Sequence, residues 1–155
     1  MRIATYNVEW FANLFDAQDQ LRDDDGWSGR SKVTRAQQIA ALGRVFRALD
    51  ADAVMVIEAP DAGRKHSAVA ALENFAARFD LRARRAVMGF ANDTRQEIAL
   101  LYDPDAVQVI HDPQGAPTGP AGASGAPRFD GSLRIDLDID ATEDQVVFSK
   151  PPLEL

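Results

Sequence analysis

The sequence predicts an α/β domain. Strand-length segments alternate with segments of helical period in the order βαβαβββ. One of the strands is an unbroken apolar run of the kind that is covered on both faces, and 155 residues at 46% hydrophobic content suffice for one core.

Each element has its own signal. Arg2-Ile3-Ala4-Thr5-Tyr6-Asn7-Val8 is short, β-branched and partly alternating, so the domain opens on a strand. Residues 16 to 32 are polar, glycine-broken and hold five aspartates, which predicts a solvent-exposed loop. From Thr34 the period changes: Ile39, Leu42, Val45, Phe46 and Leu49 recur at helical spacing, and Thr34-Arg35-Ala36-Gln37 fits a capping box, so a helix runs to about Asp50. Ala53-Val54-Met55-Val56-Ile57 is the apolar strand, and it terminates in Glu58. A second amphipathic helix is predicted from about His66 to Phe79, followed by strands at Arg82 to Met88, Glu97 to Tyr102 and Val107 to His111. Residues 112 to 127 hold four of the eight prolines and four of the ten glycines, a composition that sustains neither helix nor ladder, so they read as a flexible excursion between strands of one sheet. Strands at Leu133 to Ile139 and Val146 to Phe148 complete the pattern.

Composition removes several classes of function. Cysteine is absent, which excludes disulfides, thiolate metal sites and cysteine nucleophiles. No segment reaches the roughly 18 apolar residues of a membrane span, and no signal peptide is visible, so a chain without a membrane partner and a cytoplasmic location are expected. A net charge of -7 opposes nonspecific attraction to a phosphate backbone, although a bound divalent cation inverts the local sign of the field. Asp136, Asp138 and Asp140 alternate with apolar residues and read as the solvent face of a strand, because Ala141 and Val147 stand where an EF-hand register needs Gly and Glu. Asp23-Asp24-Asp25-Gly26 fails the same test and reads as a solvated loop.

Two polar residues interrupt segments that ought to be buried, Asn7 in the first strand and Glu58 at the end of the second. Taken singly, each has a bland explanation, Asn7 capping a loop and Glu58 leaving the sheet into water. Taken in order they carry a resemblance. Ile3-Ala4-Thr5-Tyr6-Asn7-Val8-Glu9-Trp10-Phe11, then a helix, then Asp50-Ala51-Asp52-Ala53-Val54-Met55-Val56-Ile57-Glu58 resembles the endonuclease/exonuclease/phosphatase superfamily, the deoxyribonuclease-I-like fold. Where that family usually has Gln before the Glu, this chain has Ile57. Thr94-Arg95-Gln96-Glu97-Ile98-Ala99-Leu100-Leu101-Tyr102-Asp103-Pro104 is similar to its next strand pair, and Phe148-Ser149-Lys150-Pro151-Pro152-Leu153 to its basic F-S-R-x-P element.

The resemblance implies that residues 1–155 are the N-terminal half of a four-layer α/β/β/α sandwich with mixed β-sheets, truncated before the C-terminal half. It implies a divalent-metal-dependent phosphoesterase acting on a phosphodiester substrate, nucleic acid or small phosphoester, with Mg²⁺ as cofactor and Mn²⁺ or Ca²⁺ as alternatives. Glu58 is then the metal ligand, Asn7 the catalytic residue that supports it by hydrogen bonds, and Lys150 the counterpart of a phosphate-contacting Arg, without the bidentate fork. Arg95 is a second phosphate-binding candidate near the same edge. The family's H-x-x-S, G-D-x-N and S-D-H segments have no counterpart, and His66 and His111 match none of its histidines, so both are expected to be exposed and structural. The chain alone is therefore expected to be inactive, and to meet either the missing half or a second copy through an uncovered sheet. The rival expectation is a non-catalytic α/β module that pairs through that sheet.

Overall fold

The computed structural model describes residues 1–63, 65–91, 97–112, 132–136, 138–147, 150 and 152–155. The fold is mixed α/β. Its elements are β1 (Ile3–Asn7), a 3-10 turn at Phe11–Leu14, α1 (Arg35–Leu49), β2 (Ala53–Ala59), α2 (Ala68–Arg78), β3 (Arg85–Met88), β4 (Glu97–Tyr102), β5 (Ser132–Ile135) and β6 (Asp144–Val147). The first four strands form one sheet in the order β1-β2-β4-β3, and β5 pairs with β6 in a separate two-stranded sheet. β1 runs parallel to β2, with Asn7 opposite Ile57, whereas β4 is antiparallel to both of its neighbours.

A parallel pair needs a crossover, and α1 supplies it. Its start is fixed by the capping box: the Gln37 N–H donates to Thr34 Oγ1, and the Thr34 N–H donates to Gln37 Oε1. Ile39, Leu42 and Phe46 are buried as the period requires, while Val45 falls outside the stripe and is exposed. α2 begins two residues later than a start at His66, because Ser67 Oγ accepts the Ala70 N–H and caps it there.

Both helices cover the same face of the sheet. Phe75 of α2 is fully buried at the centre, with its ring 5.3 Å from Phe11, 5.1 Å from Phe46 and 5.0 Å from Phe79 between centroids. The contacts with Phe11 and Phe46 are edge-to-face, the arrangement that aromatic quadrupoles favour. A Cβ on Gly43 would lie 2.2 Å from the Phe79 ring, so only glycine lets α1 approach so closely. Val54, Val56, Ala59, Ala99 and Leu101 complete this core from the sheet. On β1, Ala4 and Tyr6 turn toward it, and Ile3, Thr5 and Asn7 alternate to the other side, where Ile3 is 64% exposed.

The amino ends of β1 and β2 are clasped by charge. Arg82 bonds Asp52, Asp50 Oδ1 at 2.8 Å and Asp103 Oδ2 at 3.4 Å, while the Arg2 N–H also donates to Asp52. Arg84 reaches Asp103 at 3.4 Å and Asp105 at 3.0 Å from the same side. The Arg82 guanidinium, followed by the Arg2 amide, holds the Asp52 carboxyl below the usual carboxylate range.

Four expectations are corrected. Val107 to His111 is not a strand: the chain turns at Asp103, whose carbonyl accepts the Ala106 and Val107 N–H groups. The strand expected from Leu133 to Ile139 stops at Ile135, because the Asp136 carboxylate accepts the N–H groups of Ile139, Asp140 and Ala141 and closes a turn. The three aspartates therefore sit on that turn and not on a strand face. β5 and β6 do not join the main sheet, and apart from Asp112 the excursion at 112 to 127 lies outside the described residues. The loop at 16 to 32 is not merely solvated, since Ser28 is fully buried and Leu21 packs on the core. Among the described residues no helix is long and apolar enough to cross a membrane.

Two outcomes follow for stability. Phe75→Ala empties the centre of the ring cluster and should cost about 3 to 5 kcal/mol in urea denaturation. Because the Asp52 pKa is depressed in the fold, its stabilising effect is complete above about pH 4 and is lost as pH falls through the lower folded value. The urea midpoint should drop on acidification in that range, and Arg82→Met should flatten the dependence while lowering the midpoint at neutral pH.

Candidate functional site

The parallel register carries two of the expected residues to one place. Asn7 is the last residue of β1 and stands opposite Ile57, and the following N–H, that of Val8, donates to the Ile57 carbonyl at 2.9 Å. Glu58 is the next residue of β2. Both side chains thus emerge at the carboxyl ends of neighbouring parallel strands, the position at which open α/β sheets expose their loops to ligands.

Glu58 is the extra residue of a β-bulge: Ile57 pairs with Ile98 and Ala59 with Glu97, leaving Glu58 between them at φ 59°. A non-glycine residue at positive φ is strained by roughly 1 to 2 kcal/mol. The bulge ends the regular ladder where the carboxylate begins.

Lys150 comes to the same carboxylate from the far end of the chain, with Nζ 3.5 Å from Glu58 Oε1 and both side chains half-buried. Residues 152–155 guide it there. The Asp112 N–H donates to the Glu154 carbonyl, and the Pro152 carbonyl lies so near Gly89 that a Cβ there would stand 3.2 Å from it. Of the four expected residues the fold therefore assembles Asn7, Glu58 and Lys150, while Arg95 lies outside the described residues.

Glu97 belongs to this end of the sheet and was not foreseen. It opens β4 opposite Ala59, is fully buried, and shares the helix-covered face with Ala99 and Leu101. The period of two in Glu97-Ile98-Ala99-Leu100-Leu101 was the available signal, since it places Glu97 in line with buried residues.

The loops after β1 and β2 are tied together above the site. Asp19 Oδ1 lies 3.0 Å from His66 Nδ1, its Oδ2 accepts the Ser67 N–H, and its carbonyl accepts the Asn74 side-chain amide. His66 is thus half-buried and within hydrogen-bond distance of Asp19 rather than simply exposed, and His111 is half-buried with its ring 5.2 Å from Phe90. Gln38 of α1 adds a further tie by donating to the Glu9 carbonyl, two residues past Asn7.

The donor set is chemically suited to a small hard cation. Glu58 supplies a carboxylate, the exposed Asn7 a carboxamide oxygen, and Mg²⁺ characteristically takes one or two protein carboxylates and keeps several waters. The exposed cluster of Asp136, Asp138 and Asp140 is a different matter, because the Asp136 oxygens already accept three backbone N–H groups of their own turn. No family model, no curated protein and no solved structure matches the chain.

Asp19→Ala removes a carboxylate that caps α2 and joins two loops, and should cost about 1 to 2 kcal/mol by urea denaturation.

Proposed function

We propose that this chain is the N-terminal part of a divalent-metal-dependent phosphoesterase that hydrolyses phosphodiester bonds, built on one half of a four-layer α/β/β/α sandwich. The observation that carries the reading is the convergence of Asn7, Glu58 and Lys150 at the carboxyl ends of β1 and β2, three residues drawn from segments far apart in sequence. It also rests on the resemblance to the endonuclease/exonuclease/phosphatase superfamily.

In this reading Glu58 holds Mg²⁺, whose bound charge neutralises the negative charge that develops on the phosphoryl oxygens during hydrolysis. Asn7 orients the phosphate or the metal-bound carboxylate through its amide, which both donates and accepts. Lys150 supplies a cation for a nonbridging oxygen. Its 3.5 Å approach to Glu58 has a further effect, since an ammonium at that carboxylate competes with a divalent cation. Phosphate binding draws Lys150 away and frees Glu58 for the metal. A general base is not supplied by these residues, so turnover by residues 1–155 alone stays near background.

Mn²⁺ titration followed by electron paramagnetic resonance tests the metal assignment. Binding is expected at about the millimolar level of a site with few charged ligands, and Glu58→Gln should abolish it. Lys150→Ala should tighten Mn²⁺ binding by up to about fivefold, the ratio equivalent to the ~1 kcal/mol upper range of exposed ion pairs, and weaken inorganic phosphate binding. Unchanged Mn²⁺ affinity in Glu58→Gln would remove the metal role. With bis(p-nitrophenyl) phosphate and Mg²⁺, robust turnover that depends on Glu58 would show instead that the 155 residues are catalytically sufficient.

A further inference from the structure

The chain has two tryptophans, and both are on the surface beside the proposed site: Trp10 is 54% exposed and Trp27 is 68% exposed. Neither is loose. Trp10 adopts φ 62° at the head of the 3-10 turn, and Gly29, at φ 108°, sits so close that a Cβ there would lie 2.7 Å from Trp10 Cγ. Trp27 donates its indole N–H to the Arg30 carbonyl at 2.8 Å and forms a β-bridge with Thr34. Between the two rings Ser28 is fully buried, with its N–H and hydroxyl on the Val33 carbonyl and its own carbonyl on Asn13.

A loop this heavily bonded would be expected to fold its aromatic residues inward, since each indole removes roughly 150 to 250 Å² from water when buried. Here the same bonds hold the rings outward. With its N–H already donated, Trp27 offers a ligand only its π-face, and the two indoles make no ring contact with one another among the described residues.

The surrounding charge narrows the ligand. Residues 27–35 contain Arg30, Lys32 and Arg35 and no acid, in a chain whose net charge is -7. Arg35 is committed to Asp24 at 2.6 Å, Arg30 is half-buried and pairs with Glu9 at 3.4 Å, and Lys32 is exposed at φ 60°. Trp10 lies three residues beyond Asn7, within about 11 Å along the chain, so this aromatic and basic rim adjoins the phosphoryl end of the sheet.

We propose that Trp10 and Trp27 form a stacking platform for unpaired nucleobases, with Arg30 and Lys32 meeting the phosphates, so that the phosphodiester cleaved at the neighbouring site belongs to a single-stranded nucleic acid. This rests on the phosphodiesterase reading given above and adds the substrate class to it. A duplex hides the faces of its bases, whereas a single strand offers each of them to an aromatic side chain without regard to sequence. A lipid surface fits less well, because Ser28, Gly29 and Arg30, which follow Trp27, interrupt any continuous apolar patch.

Intrinsic fluorescence reports these two residues alone, which makes the test direct. The intact chain in EDTA, where no metal-dependent cleavage proceeds, is titrated with decamer oligo(dA). Saturable quenching is expected, with Kd raised about tenfold in Trp27→Ala and within about threefold of the original in Trp27→Phe, which keeps a ring in place. The metal assignment is read from Mn²⁺ binding in Glu58→Gln and the stacking platform from oligo(dA) binding in the Trp27 variants, so the two readings fail in different experiments. The proposal is overturned by an absence of quenching, by equal affinity in Trp27→Ala, by an equal loss in Trp27→Ala and Trp27→Phe, or by binding of the corresponding duplex as tightly as the single strand. Emission that responds to phosphatidylcholine vesicles and not to oligo(dA) overturns it in favour of a lipid surface.

Discussion

The parallel pairing of β1 with β2 is the constraint on which the rest of the molecule depends. Antiparallel neighbours would send Asn7 and Glu58 to opposite ends of the sheet, whereas the observed register sets Asn7 against Ile57 and makes Glu58 the next residue. Parallel pairing demands a crossover, the crossover is α1, and α1 needs a surface to bury Ile39, Leu42 and Phe46. The ring cluster around Phe75 provides that surface and seats α2 on the same face. The hydrophobic core and the polar site are in this sense two results of one strand order.

Charge is distributed unequally along the sheet. At the amino ends of β1 and β2, Arg82 and Arg84 are surrounded by Asp50, Asp52, Asp103 and Asp105, and opposite charges compensate one another. At the carboxyl ends the same sheet presents Asn7 and Glu58, with Lys150 beside Glu58 and Glu97 buried nearby. Locking one end leaves the other free to carry residues chosen for something besides stability. The Asp19 bridge and the Gln38 bond then restrict the loops there, so the open end is shaped as well as exposed.

Much of the frame was legible in the sequence because its signals are local. The capping box at Thr34 names its own partner, the run at Ala53 to Ile57 is of strand length and has no polar residue, and Glu97 to Tyr102 is a strand with the bounds that its period indicates. What was not legible depends on contacts between distant residues. Val107 to His111 has strand-like composition, but whether a strand forms is decided by pairing, and the chain turns at Asp103 instead of returning along a sheet edge. Asp136 to Asp140 alternates like a strand, yet a carboxylate that gathers three N–H groups makes a turn more favourable. At the site, Asn7 and Glu58 stood out as polar interruptions of apolar strands, and Lys150 through a motif. In the sequence Glu97 marks only the start of a strand, and the two tryptophans fall apart, Trp10 in the first motif and Trp27 in a polar loop. Their arrangement is set by Gly29 and Ser28, whose tertiary contacts leave no periodic trace.

Glu58 occupies a backbone conformation that glycine, and to a lesser extent asparagine, adopts with least strain. Stability and chemistry therefore pull this residue in opposite directions. A population of variants sorted only for heat resistance would drift toward glycine at position 58, relaxing the bulge and discarding the carboxylate in the same step. Thermal selection of this protein thus has a built-in blind spot: its most tolerant descendants would be depleted in the one side chain that gives the sheet's open end an anionic centre.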